Sequence, residues 1–95
     1  MSTVLTGAEV LQALQNLPGW SLNGAAIERT FEIPNFVEAM GFVNRIAEAA
    51  EAVNHHPDIT INYNKVKFTL ISHDAGGVTQ RDLRMAGKIN EISAG

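Results

Sequence analysis

The sequence predicts an α+β domain: a four-stranded antiparallel sheet with three helices on one face, in the order α-β-β-α-β-β-α. Three observations carry that expectation. Apolar stripes of helical period alternate with pairs of short period-two segments, and each pair is joined by a turn too short for a parallel crossover. Two Thr-x-x-acid segments, Thr6-Gly7-Ala8-Glu9 and Thr79-Gln80-Arg81-Asp82, stand just before helical stripes as capping boxes. Finally, 95 residues with 45% apolar and 18% charged side chains fit one globular domain, residues 1–95.

After the first capping box, Val10, Leu11, Leu14 and Leu17 fall on one stripe, and Pro18-Gly19 ends the helix. Trp20-Ser21-Leu22 leads into Asn23-Gly24, a tight-turn signal because both residues accept positive φ. On the return strand Ala25, Ile27, Arg29, Phe31 and Ile33 share one face, while Glu28, Thr30 and Glu32 take the other. Pro34 breaks the strand. The second helix starts at Asn35 and presents Val37, Met40, Val43, Ile46, Ala50 and Val53 as its buried stripe. Pro57 disfavours helical geometry at His56, so that helix should stop at about Asn54 or His55.

The second hairpin runs from Ile59 to Ser72, with Asn64-Lys65 as its expected turn. In that register Tyr63 meets Val66, Ile61 meets Phe68, Ile59 meets Leu70, and His56 would lie opposite His73 on the other face. Asp74 to Gly77 form a loop. After the second capping box, Leu83, Ala86, Ile89 and Ile92 face the core. Four strands leave exposed edges, and pairing two chains edge to edge would hide one.

Composition narrows the chemistry. With no cysteine, disulfides, thiolate metal sites and cysteine nucleophiles are excluded together. A net charge of −3 without a Lys/Arg cluster in sequence argues against direct contact with nucleic acid or an anionic membrane. No apolar run approaches a membrane span and no signal pattern opens the chain, so a cytoplasmic location is expected.

All three histidines fall where helix and hairpin should meet: His55 and His56 at the helix end, His73 at the end of the last strand. Glu51 precedes His55 by four residues, on the same helical face, where it could orient that imidazole. Asp82 comes from the first turn of the last helix. Imidazoles with carboxylate partners suit proton transfer. Ser21, Ser72 and Ser93 have no evident base, which disfavours covalent attack. Metal binding is the rival, since Glu51 with two histidines, or three histidines alone, could make a site. Adjacent histidines entering a strand diverge, however, and His-x-x-x-His is absent, so proton transfer is the preferred reading. Each residue also has a plain structural role open to it: Glu51 as a solvated helix residue, His55 as a helix-end cap, Asp82 as part of its capping box.

The string Glu51-x-x-x-His55-His56-Pro57, then Tyr63-Asn64-Lys65-Val66, then His73-Asp74, then Asp82, resembles the pterin-4a-carbinolamine dehydratase family. The resemblance in element order covers nearly the whole chain. It implies a lyase that removes water from 4a-hydroxytetrahydropterin, left by aromatic amino acid hydroxylases, to give quinonoid dihydropterin. By the same resemblance His55, His56 and His73 are the catalytic group, and Glu51 and Asp82 support orientation and substrate contact. No metal and no other cofactor is implied, because the pterin is the substrate. Family members form dimers or tetramers, so a homodimer or homotetramer with a functional link to a hydroxylase is expected. Many members carry tryptophan two residues after the proline, and here that position is Ile59, which implies a looser or slower pocket if the aromatic walls it. Animal members also act as dimerisation partners of a homeodomain transcription factor, so the alternative is a non-enzymatic interaction module on the same scaffold.

Overall fold

The computed structural model describes residues 3–95. Its elements are α1 (Gly7–Leu14), β1 (Ser21–Asn23), β2 (Ala26–Glu32), α2 (Phe36–Val53), β3 (Asp58–Asn62), β4 (Lys65–Leu70) and α3 (Gln80–Ala94). The strands form one antiparallel sheet in the order β1-β2-β4-β3, so the two hairpins join through β2 and β4 and leave β1 and β3 as edges. This is the architecture the alternation of helices and hairpins predicts.

One face of the sheet carries the core. Ile27 and Phe31 of β2 lie opposite Leu70 and Val66 of β4, and Phe68 completes the buried set. Phe42 comes down from α2 onto Phe31 and Phe68, and the three rings meet edge to face with centroids 5.1–5.8 Å apart, a favoured aromatic geometry. Ala39, Ile46 and Ala50 of α2 and Met85, Ala86 and Ile89 of α3 bury the rest of the helical layer. The buried face of α2 is therefore rotated from the expected stripe: Val37 and Val53 are exposed, at 79% and 65%. Phe42, which the expected stripe leaves out, takes the central position against Phe31 and Phe68. On α1, Val10 is buried as expected but Leu11 faces solvent.

Both hairpin turns sit one residue later or earlier than the local signals indicate. In the first, Asn23 pairs with Ala26, so the turn residues are Gly24-Ala25, with Gly24 at φ +61°. In the second, Asn62 pairs with Lys65 and the turn is Tyr63-Asn64, which replaces the expected pairs by Ile59 with Phe68 and Ile61 with Val66. The cause lies across β4. Ile33 N–H donates to the Asn64 carbonyl and Asn64 Nδ2 donates to the Ile33 carbonyl, both at 2.8 Å. Asn64 thus extends the β2–β4 ladder, and the turn accepts Tyr63 at φ +55°. Because the register slips by two, every side chain keeps its face, but His56 no longer lies opposite His73.

A polar knot fixes α1 and its following loop to the other end of α3. Trp20 Nε1 and Arg29 Nη1 both donate to Asn90 Oδ1, at 2.8 and 2.7 Å, and Arg29 Nη1 also reaches the Pro18 carbonyl at 2.7 Å. Gly19 is required there: its φ is +85°, and a Cβ would fall 2.3 Å from Arg29 Nε.

Candidate active site

Each site residue is placed by a short-range device. Asn54 closes α2 in the left-handed conformation, φ +50°, with its amide on the Glu51 carbonyl at 3.2 Å and the His55 amide on the Ala50 carbonyl at 3.1 Å. That pair of bonds is a Schellman ending. It turns the chain sharply, so His55 points back toward α3 instead of continuing the helical face of Glu51. At the other end of the hairpin, Ser72 bridges Gly77 across the loop, its amide donating to the Gly77 carbonyl at 3.0 Å. Ser72 is buried and points inward, and its neighbour His73 is exposed.

At the centre is Asp82, fully buried in the first turn of α3. Its Oδ1 lies 2.6 Å from His55 Nε2. Its Oδ2 accepts the Ser72 hydroxyl at 2.9 Å and the Thr79 amide at 2.8 Å. The Ser72 and Thr79 hydroxyls are 2.8 Å apart, and Thr79 Oγ1 accepts the Arg81 amide at 3.2 Å. The buried carboxylate is satisfied on both oxygens, as burial requires. With a carboxylate oxygen as partner, His55 carries its hydrogen on Nε2, and Nδ1 is the ring atom left for a ligand. The His55 side chain is 11% exposed, so it is largely but not wholly shielded from solvent.

The remaining residues separate. Glu51 does not orient His55: its Oε2 lies 2.9 Å from His56 Nε2, in a pair exposed at both ends. His73 makes no side-chain hydrogen bond among the described residues, although it adjoins Ser72, whose hydroxyl shares the Asp82 carboxylate with His55. Asp74 accepts from Arg81 Nη2 at 2.6 Å, and that hydrogen bond, with the guanidinium charge, holds its carboxyl below the ordinary 3.8. The structure therefore joins His55 directly to Asp82 and His56 to Glu51. Among the described residues no three His, Asp or Glu side chains are grouped to hold a metal ion, and no helix is long and apolar enough to cross a membrane.

Ser72 is the partner that sequence reasoning did not assign. The Thr79-to-Asp82 capping box already implied the Thr79 amide on the Asp82 carboxylate. Nothing local in sequence ties Ser72 to it. A cavity of about 410 Å³ opens beside His55 between the C-terminal half of α2 and the first half of α3. This groove has no signature in the linear sequence.

Comparison with known proteins bears on the family and the fold. The family model described as pterin 4 alpha carbinolamine dehydratase matches residues 3–92. A curated relative from Koribacter versatilis, named for pterin-4-alpha-carbinolamine dehydratase, is 58% identical, covering 97% of this chain and 98% of its own. Another of that name, from Thermomicrobium roseum, is 50% identical, covering 95% and 97%. The crystal structure of a transcriptional coactivator/pterin dehydratase from Brucella melitensis superposes with a TM-score of 0.90 at 41% identity, over 95% of this chain and 98% of that one. A pterin dehydratase-like protein identified as a RuBisCO assembly factor in the alpha-carboxysome gives a TM-score of 0.63 over 77% of this chain and 84% of that one. At 16% identity it shares the fold alone.

Proposed function

The chain belongs to the pterin 4 alpha carbinolamine dehydratase family, and from that premise we propose that it eliminates water from 4a-hydroxytetrahydropterin to give quinonoid dihydropterin. The observation that carries the reading is the 2.6 Å contact between His55 Nε2 and the buried Asp82 carboxylate. The elimination takes a proton from a ring nitrogen and delivers one to the departing hydroxyl, and an imidazole serves either task near neutral pH. Asp82 fixes the tautomer and plane of His55, so that Nδ1 is the atom that exchanges a proton with substrate. His56, paired with Glu51, and His73, at the loop beyond Ser72, supply the second proton-transfer group. Glu51 orients His56 as Asp82 orients His55.

No step in this scheme calls for a metal or further cofactor: the pterin is the substrate, and the protein's task is to hold and move protons. The reading includes a homodimer or homotetramer working beside an aromatic amino acid hydroxylase in the cytoplasm.

Purified protein mixed with freshly made carbinolamine should speed the appearance of quinonoid absorbance, and His55→Ala should remove most of that acceleration. A rate equal to buffer would sink the proposal. An interaction module on the same scaffold would keep its partner binding when His55 is lost, which separates it from the dehydratase.

A further inference from the structure

The cavity beside His55 carries more charge than the elimination uses. Its apolar floor is Ala49, Ala52 and Val53 of α2 with Met85 of α3, and the rest of its wall beyond His55 is Arg81, Arg84 and Lys88. Three of the chain's seven Lys and Arg residues meet there, in a protein of net charge −3, and no carboxylate lines the space. Their spacing of three and four makes one stripe along α3, and seven residues of helix span about 10 Å.

Existing partners leave much of this charge available. Arg84 has no ion pair among the described residues. Lys88 meets Glu91 only at 3.4 Å, and both side chains are exposed. Arg81 is already engaged, giving Nη2 to Asp74 at 2.6 Å, and it lines the inner end of the row. On the facing helix Glu51 is turned to His56, and Glu48 is exposed outside the lining. An apolar trough ending in a row of cations, with a proton-transferring imidazole at its mouth, suits a molecule with a reactive ring and an anionic tail.

We infer that the α2–α3 cavity seats the side chain of the pterin substrate, and that this side chain ends in a phosphate monoester held by Arg84 and Lys88. The inference rests on the dehydratase reading and narrows its substrate class. The ring reaches His55 Nδ1, the carbon chain lies over Ala49, Ala52 and Met85, and the phosphate meets the cations, where charge-assisted bonds replace their water.

The test compares two carbinolamines, one with a neutral hydroxymethyl group at C6 and the other its phosphate ester. The ester should show a kcat/KM roughly ten-fold or more higher, the scale of one charge-assisted hydrogen bond. In the double variant Arg84→Gln/Lys88→Gln, the ratio of the two kcat/KM values should fall to near one. Equal values in the wild type, or an ester advantage that survives in the variant, overturns the inference. If inorganic phosphate inhibits while the ester gains nothing, the cavity is a free-anion site and the substrate assignment is wrong. Should neither carbinolamine be turned over, the dehydratase reading has failed. Equilibrium binding of 6-hydroxymethyl-7,8-dihydropterin and of its phosphate ester then tests the cavity alone: an ester preference abolished by the double variant upholds the site, and its absence overturns it.

Discussion

Asp82 holds His55 at 2.6 Å through one carboxylate oxygen while its other oxygen closes the first turn of α3 through the Thr79 amide. Orientation of the imidazole and capping of the helix are thus one arrangement. Two kinds of loss follow from substitution here. His55→Ala should slow elimination by roughly 10²-fold or more, the usual reach of a general acid or base, and should cost about 1–3 kcal/mol, because Asp82 Oδ1 is left buried without its partner. Asp82→Ala should show a similar loss of rate and destabilise the fold by about 2–4 kcal/mol, because the Thr79 amide and His55 Nε2 both lose their acceptor. Urea denaturation beside stopped-flow kinetics separates the two effects. Unchanged stability in Asp82→Ala would contradict the network.

Ser72→Ala tests the member of that network that only the structure reveals. Asp82 keeps His55 and the Thr79 amide, so the cost should be about 1 kcal/mol. The rate should fall less than in Asp82→Ala. A loss as large as that of Asp82→Ala would mean that Ser72 itself meets the substrate.

For the outer pair the expectation is reversed. His56 and Glu51 are exposed on both sides of their 2.9 Å contact, and such pairs contribute little to stability. His56→Ala and Glu51→Gln should leave the unfolding free energy within about 0.5 kcal/mol of wild type. Any large fall in elimination rate then belongs to chemistry. Wild-type rates in both would leave His55 and His73 as the proton-transfer groups.

Phe42→Ala removes the ring that joins α2 to Phe31 and Phe68 and should cost about 3–5 kcal/mol. Val37→Ala, at a position 79% exposed, should change stability by less than about 0.5 kcal/mol. Comparing their denaturant midpoints checks the rotation of the buried face of α2.

The Asp74 carboxyl, lowered first of all by the Arg81 hydrogen bond, should titrate below 3.8 in the folded protein, followed by its side-chain carbon signal. A carboxyl depressed on folding contributes stability above its unfolded value, and that contribution is lost as pH falls through the folded one. At neutral pH the contribution is fully present, and it is small because the pair is exposed. Arg81→Gln should return the titration to the ordinary value. An unchanged midpoint would show that the ion pair does not hold in solution.

Element order, both capping boxes and the end of α2 were legible because each depends on neighbours within a few residues. Thr6 and Thr79 cap as their spacing predicts, and Pro57 marks the end of a helix that Asn54 closes. What escaped depends on contacts distant in sequence. The choice of Tyr63-Asn64 as a turn is made by Ile33, 31 residues away. The partner of His55 is Asp82, 27 residues away, because the Schellman ending turns His55 off the face it would share with Glu51. A helical spacing of four predicts a pair only while the helix lasts, and at Asn54 it has ended.

The Thr79 amide offers a spectroscopic handle on all this. It is a single proton, buried on the same carboxylate that grips His55, and its exchange with deuterium requires the start of α3 to open. A compound that draws the imidazole off Asp82 loosens that latch and should hasten exchange at this one position, while amides beneath the phenylalanine cluster keep their slow pace.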